Sequence, residues 1–153
     1  DHAGGIYKKD EQLKQRFLSF PSATYYVHRT EMEFALGKGS KSYWIGHFDG
    51  LQNSDQVVLL EGDGKIDDYI TYKVTGAHSP CHQVFWIEEE EQKVFYGGDV
   101  APQLQQMKNR FIAKYDYDGK KCMELRQQWW KQGKEEKWTF LFYHDIKSPV
   151  FSF

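Results

Sequence analysis

YGGD, residues 96–99, fixes the architecture of this chain, because a predicted strand ends there in two glycines and an aspartate. Three other segments place a histidine or an aspartate beside a predicted loop: Asp1-His2 at the start, His78 in TGAHSPCH, and His144 in LFYHD. Layered α/β scaffolds carry their ligand-binding and catalytic side chains at such positions. We therefore predict that the four segments converge on one site.

The composition predicts one globular domain over residues 1–153. Apolar residues make up 40% of the chain and aromatic residues 17%, which is enough to bury a core. Twenty basic and 22 acidic residues give a formal net charge of −2, which supplies no electrostatic case for nucleic acid or an anionic membrane as a partner. No apolar run approaches the roughly 20 residues that span a bilayer. A small molecule is the expected partner.

Two cysteines, Cys81 and Cys122, occur without any short spacing between them. This pattern fits reduced thiols in a cytoplasmic protein better than a disulfide scaffold. We therefore predict a cytoplasmic location.

The first third of the chain is predicted to contain two helices around a short strand. A helical pattern covers 9–20, with Leu13, Phe17 and Leu18 as its apolar residues. We predict the strand at 24–27 and the second helix at 29–36. Residues 41–48 fit a short helix and a loop equally well.

From residue 57 onward, turn residues separate short strands. We predict an antiparallel run of strands at 57–60, 70–74, 83–88 and 93–96. A turn is predicted at 62–64, and the clearest helix is 120–132, with Gly133 available as its stop. A nearly all-apolar strand at 138–143 then leads to His144. Sheets covered by helices predict an α/β layered fold.

The predicted site has the ligand types of a divalent metal centre. Imidazole nitrogens and carboxylate oxygens bind ions of the zinc class, and catalytic sites of this class keep one position open for water. The candidate ligands are Asp1, His2, His78, Asp99 and His144. Two ions bridged by one carboxylate can share a hydroxide, because binding lowers the pKa of water to about 7. Asp99 is the candidate bridge, since two glycines before it let the backbone approach the ions.

Four segments together resemble the metallo-β-lactamase superfamily. DHAGG at 1–5 resembles the second half of the HxHxDH signature, and TGAHSPCH at 75–82 resembles the GHTPGH segment, whose first histidine is the ligand. FYGGD at 95–99 resembles the segment that supplies the bridging aspartate. LFYHD at 141–145 resembles the strand end that supplies the last histidine. The matches follow the order of the family and span 1–145.

The resemblance implies an αββα sandwich of two mixed sheets with two metal ions, zinc by preference and iron or manganese otherwise. It assigns His78 to the first ion, Asp1, His2 and His144 to the second, and Asp99 to both. Asp1 would also orient the nucleophile and shuttle its proton. The two histidines of HxHx and the strands before them are absent from the sequence, which is therefore expected to be the larger, C-terminal part of a domain. Without those histidines, metal affinity and turnover are expected to be low.

The implied activity is hydrolysis of a small ester, thioester or lactone by a hydroxide bound to both ions. Two alternatives remain: an iron-dependent oxidoreductase with the same ligands, and a scaffold without activity. Lactonases of this family often place a tyrosine soon after the bridging aspartate, whereas Asp99 is followed by VAPQ. Tyr115 and Tyr117 could replace it from a later loop, although packing is the commoner role. His82 is predicted to orient a ligand or to begin a strand.

Overall fold

The computed structural model describes residues 2–10, 12, 15–37 and 42–153. The chain divides into two compact units, Asp1–Glu61 and Gly62–Phe153. The assignment of 1–153 to a single domain stays a prediction. In the described part of the chain, no helix has the length and apolarity needed to cross a membrane.

The first unit opens with a β-hairpin, so the predicted helix at 9–20 is wrong. Strand β1 (Tyr7–Asp10) pairs antiparallel with β2 (Gln15–Leu18), and Tyr7 lies opposite Leu18. Both of these side chains pack against the core of the unit. This cross-strand pair provides the packing of the segment, which outweighs its weak helical period.

Contacts of Arg16 hold this hairpin in place. The guanidinium carbon lies 4.5 Å from the centre of the Tyr7 ring, and Nη1 donates a hydrogen bond to the carbonyl oxygen of Gly46 at 3.0 Å. Of the apolar residues assigned to the helix, Phe17 is 51% exposed and Leu13 lies outside the described residues. Of the described residues of the predicted apolar face, Leu18 therefore contacts the core and Phe17 does not.

The rest of the first unit is built on β3 (Tyr25–His28), α1 (Arg29–Gly37) and β4 (Val57–Leu60). The predicted strand at 24–27 and helix at 29–36 are confirmed to within a residue at each end. Strand β4 has its predicted bounds but runs parallel to β3. Its predicted place in an antiparallel run is wrong, because β3 and β4 are joined through α1 in a crossover connection of the kind that links parallel strands.

Residues 42–48 form a loop with a short 3-10 helix at Ile45–His47, so both predicted alternatives for 41–48 are present. Residue 41 lies outside the described residues. A second 3-10 helix follows at Leu51–Asn53. Phe48 after the first of these helices and Leu51 at the start of the second are at most 4% exposed and pack with Met32 of α1. This apolar cluster is the core of the first unit.

A six-stranded mixed sheet forms the second unit. Its strands are β5 (Gly64–Ile66), β6 (Ile70–Val74), β7 (Gln83–Glu89), β8 (Gln92–Tyr96), β9 (Thr139–Leu141) and β10 (Val150–Ser152). Their order across the sheet is β10-β9-β8-β7-β6-β5, and only β8 and β9 are parallel. The predicted antiparallel run over 70–74, 83–88 and 93–96 is confirmed. The predicted turn at 62–64 is shorter, because Gly64 already belongs to β5 and faces the Tyr72 ring, which leaves no room for a Cβ.

Two helices, α2 (Leu104–Lys108) and α3 (Gly119–Glu135), accompany this sheet. Trp129 of α3 packs against the sheet residue Phe95 with ring centres 4.8 Å apart. The prediction that Gly133 stops the helix is wrong, since α3 continues to Glu135. A Cβ at Gly133 would overlap the ring of Phe140, so glycine here permits close packing of helix and strand.

The predicted strand at 138–143 is reduced to the three residues of β9, but its side chains are buried as expected. Trp138 and Phe140 are at most 1% exposed, and Phe142 is 4% exposed. The strand lies between β8 and β10 and therefore runs through the interior of the sheet. His144 follows two residues after Phe142, in the turn where this core ends.

Candidate metal centre

Asp99 lies in the turn that follows β8. Its own 3-10 helix, Gly98–Val100, begins with a glycine at φ +49°, a conformation that L side chains rarely adopt. A Cβ at Gly98 would lie 2.8 Å from Nε2 of His82, and a Cβ at Gly97 would overlap the Ala101 side chain. The two glycines therefore bring the turn close to its neighbours and leave the Asp99 side chain 11% exposed.

Each carboxylate oxygen of Asp99 faces a different imidazole. Nε2 of His78 lies 3.5 Å from Oδ2, and Nε2 of His144 lies 3.0 Å from Oδ1. The His78 side chain is 12% exposed and that of His144 is 44% exposed. Three of the predicted site residues, far apart in sequence, are thus adjacent in the second unit, with His144 on the more open side.

His78 lies in the loop between β6 and β7, and its other ring nitrogen, Nδ1, contacts a second carboxylate. Nδ1 is 3.0 Å from Oδ1 of Asp116, whose side chain is only 1% exposed. Sequence reasoning missed Asp116, because 38 residues separate it from His78 and no local motif pairs the two. A buried carboxylate on the far nitrogen fixes which imidazole nitrogen carries the proton.

His82 contacts the backbone of Asp99, and its role in orienting a ligand stays a prediction. The backbone N–H of Asp99 donates to Nε2 of His82 at 3.3 Å, and Nδ1 of His82 lies 3.3 Å from Oγ1 of Thr75. Nε2 must accept, so the ring proton sits on Nδ1 and points at Thr75. The imidazole therefore links the β6 end to the Asp99 turn.

Backbone hydrogen bonds hold His144 in the turn after β9. Its N–H donates to the carbonyl oxygen of Pro102 at 3.1 Å, and its own carbonyl accepts from Nε2 of Gln103 at 3.0 Å. The neighbouring Asp145 accepts from the backbone N–H groups of Leu104, Lys147 and Ser148. The bond from Ser148, followed by the others, holds the pKa of Asp145 below its usual value. Asp145 is thus a structural cap for the turn and for the start of α2.

Three tyrosines line the surroundings of these residues. Burial, then the charge of Asp99, raises the pKa of Tyr96. The Tyr115 ring stands edge-on to His78 at 6.0 Å and is 68% exposed, so it is not the half-buried packing residue that its spacing suggested. Tyr143 packs edge-on against His144 at 4.7 Å. His78 and His144 therefore each have an aromatic neighbour.

The two remaining predicted ligands belong to the first unit. His2 belongs to the first unit, where its side chain is exposed, and Asp1 lies outside the described residues. Their assignment as ligands stays a prediction based on the DHAGG resemblance.

The donor set in the second unit fits a divalent ion of the zinc class. Two donors held at about 2.1 Å from one tetrahedral ion lie about 3.4 Å apart. The separation of 3.5 Å between His78 Nε2 and Asp99 Oδ2 agrees with that value, while the 3.0 Å contact of His144 is also a hydrogen-bonding distance. Imidazole nitrogen with carboxylate oxygen is the chemistry that zinc, iron and manganese sites use.

No protein-family model and no curated protein matches this sequence. Solved structures do match. A probable metal-dependent hydrolase from Staphylococcus aureus is 22% identical with a TM-score of 0.79, and the match covers 88% of this chain and 49% of that one. The hydrolase AbOPH of the beta lactamase superfamily is 20% identical with a TM-score of 0.75, and the match covers 99% of this chain and 56% of that one. AidC, a dizinc quorum-quenching lactonase in complex with a product N-hexanoyl-L-homoserine, is 18% identical with a TM-score of 0.70. That match covers 98% of this chain and 55% of AidC.

This chain therefore spans about half the length of the solved structures that it matches. At these identities the likeness concerns the backbone arrangement. The expectation that DHAGG, TGAHSPCH, FYGGD and LFYHD raised is confirmed at that level: the chain has the α/β fold of the metallo-β-lactamase superfamily.

Proposed function

We propose that this chain carries part of a dinuclear metal centre that hydrolyses a small ester, thioester or lactone. The observation that carries the proposal is the Asp99 carboxylate, 11% exposed, with one oxygen facing His78 and the other facing His144. A carboxylate that offers its two oxygens in two directions is suited to bridge two ions. A single structural ion would need no such arrangement.

Each residue has a definite task in this proposal. His78 binds the first ion through Nε2, His144 binds the second through Nε2, and Asp99 holds both. The sequence resemblance adds His2 and Asp1 to the second ion, with Asp1 also orienting the attacking water and moving its proton. When bound, the two ions supply a Lewis acid for the substrate carbonyl and lower the pKa of the attacking water.

The structural neighbours support the substrate class and the metal without fixing either. Their names describe a probable metal-dependent hydrolase and a dizinc lactonase with an acyl homoserine product. We infer zinc as the resident metal, with iron and manganese as the alternatives that the same donors accept. Neither Cys81 nor Cys122 is in a disulfide, which leaves the cytoplasm as our proposed location.

The proposal is tested by metal content and turnover on the same preparation. The chain, purified without added zinc, is analysed for bound metal and then assayed on esters, thioesters and lactones with and without a chelator. We expect metal-dependent hydrolysis that is lost in His78→Ala and retained in His47→Ala, which changes an exposed histidine of the first unit.

Three other outcomes contradict the hydrolase proposal in different ways. Bound iron without hydrolysis would favour the oxidoreductase alternative, because iron cycles electrons and zinc does not. A chain that retains no metal would favour the scaffold alternative. Hydrolysis that survives both the chelator and His78→Ala would exclude a metal-dependent reaction at this site.

A further inference from the structure

Asp116 is a buried carboxylate for which the proposed reaction has no direct use. It lies in the segment between α2 and α3, and its side chain is 1% exposed. Its Oδ1 is 3.0 Å from Nδ1 of His78, on the side of the ring opposite the nitrogen that faces Asp99. Burial of a carboxylate costs free energy unless its partners compensate, so its position requires an explanation.

The chain on either side of these two residues is locked together by backbone hydrogen bonds. The N–H of Tyr117 donates to the carbonyl oxygen of His78 at 3.1 Å, and the N–H of Asp118 donates to that of Ala77 at 2.7 Å. The Asp118 side chain in turn accepts from the N–H of Lys121 at 2.9 Å and caps the start of α3. The loop that carries Asp116 is therefore held in register with the loop that carries His78.

Two buried residues of α3 interact electrostatically with Asp116. Burial, followed by the charge of Asp116, raises the pKa of the Cys122 thiol to about 12, so this thiol stays protonated. The Arg126 guanidinium, 1% exposed, is near enough to attract Asp116 electrostatically. Arg126 also donates from Nη1 to the carbonyl oxygen of Val100 at 2.7 Å, directly after Asp99 in the chain.

We propose that Asp116 is the positioning residue of the metal centre: it holds the ring proton of His78 on Nδ1 and thereby directs the Nε2 lone pair toward the ion beside Asp99. A histidine binds a metal ion only through a nitrogen without a proton, and a carboxylate on the other nitrogen selects that tautomer. The same contact fixes the rotation of the ring. This role rests on the proposed function of His78 as a ligand.

The test combines a measurement on the metal-free protein with a measurement of zinc affinity. Nitrogen NMR of the imidazole rings reports the His78 tautomer, and calorimetric titration reports the zinc dissociation constant. Asp116→Ala removes the acceptor, whereas Asp116→Asn keeps an acceptor of the same size without the charge. Glu124→Gln on α3 is the control, because it removes one negative charge from an exposed side chain that forms an i,i+4 pair with Lys120.

We expect the proton of the neutral His78 ring on Nδ1 in the parent chain and a shift toward Nε2 in Asp116→Ala. Zinc affinity is expected to fall about 10–100-fold in this variant, the usual cost of losing an outer partner of a ligand histidine. Asp116→Asn is expected to lose less zinc affinity than Asp116→Ala. It replaces the alanine variant in both measurements if that variant does not fold. Glu124→Gln is expected to match the parent chain in both measurements.

The two proposals fail in different ways. A His78 tautomer that is the same in the parent chain and both Asp116 variants would overturn the positioning role, as would unchanged zinc affinity in both variants. A loss of stability alone would also overturn it, because a purely structural residue would give that result. Absence of zinc binding by the parent chain would overturn the proposed function itself.

Discussion

Asp99 is surrounded by groups that favour a cation at its carboxylate. Two imidazole Nε2 atoms face its two oxygens at 3.5 and 3.0 Å. An unprotonated imidazole nitrogen and a carboxylate oxygen each present electron density, so a proton or a metal ion between them relieves the repulsion. With Asp116 on the other nitrogen of His78, a second negative charge adds to this preference. The cluster therefore has the electrostatics of a cation site.

Gly98 is the residue whose replacement should disturb this arrangement most locally. Its φ is +49°, and a Cβ would lie 2.8 Å from Nε2 of His82, which accepts the Asp99 N–H. We expect Gly98→Ala to lower the free energy of unfolding by about 1–3 kcal/mol, because alanine would strain the backbone at this positive φ and would displace the His82 ring. Urea denaturation of both proteins measures this change.

Gly46→Ala is the matched control for that substitution, because a Cβ at Gly46 meets no atom within 4 Å and its φ is not positive. Equal unfolding free energies for the two alanine variants would show that the Asp99 turn does not require glycine.

At the level of single residues, sequence reasoning found the groups with a local signature. His78 and His144 follow predicted strands, and Asp99 follows a glycine pair. The structure brings all three together. Asp116 has no comparable signature, because its function depends on a partner 38 residues away. Long-range side-chain pairs of this kind become visible only once the strands have a known order.

Glu136, immediately after α3, connects the helix to the sheet. Its carboxylate accepts hydrogen bonds from Nε2 of Gln132 at 2.8 Å, Nζ of Lys93 in β8 at 2.9 Å and Nε1 of Trp138 at 2.8 Å. These bonds lower the pKa of Glu136 from 4.5 to about 2, and the bond from Gln132 has the largest effect. A single side chain thus joins the end of a helix, a strand and the core tryptophan.

The depressed pKa of Glu136 predicts a stability that depends on pH. A carboxyl group with a folded pKa below its unfolded value stabilises the fold above the unfolded pKa and loses that contribution as pH falls through the folded pKa. The window therefore extends from pH 4.5 down to about 2. We expect the difference in unfolding free energy between the parent chain and Glu136→Gln to be largest above this window and to shrink within it.

Urea denaturation at a series of pH values measures that difference. It should be modest throughout, since the Glu136 side chain is 42% exposed and solvent screens its interactions. Glu124→Gln, which changes an exposed carboxylate on the same helix, should show no such pH dependence. A Glu136→Gln difference that stays constant from pH 6 to pH 2 would contradict the assigned hydrogen bonds.

Among the secondary-structure elements, the sequence predicted those with strong local patterns. The antiparallel strands β6, β7 and β8 and the long helix α3 agree with prediction, because alternation and helical period were clear there. The hairpin of β1 and β2 was not predicted. Its two strands are held together in part by the contact between Arg16 and the Tyr7 ring, and a contact between strands cannot be inferred from the spacing of apolar residues. The parallel pairing of β4 with β3 was also missed, because pairing partners are set by tertiary connections.

For the molecule as a whole, the fold and the site rest on different support. The fold follows from solved structures that match with TM-scores of 0.70 to 0.79. The proposed metal centre is supported by three side chains of the second unit and by the order of motifs in the sequence. This chain spans about half of each matched structure, so its hydrolytic activity is a proposal. Metal binding can be measured on the chain itself.

The most direct measurement is a zinc titration of the metal-free chain by calorimetry, compared between the parent protein, Asp99→Asn and Asp68→Asn. The last variant removes the same charge from an exposed position and is the control. We predict saturable binding by the parent chain and by Asp68→Asn. In Asp99→Asn, affinity should fall by more than the roughly 100-fold cost of losing an outer partner, because a ligand of the ions is lost. Equal zinc affinity in Asp99→Asn, or no binding by the parent chain, would contradict a metal centre built on Asp99.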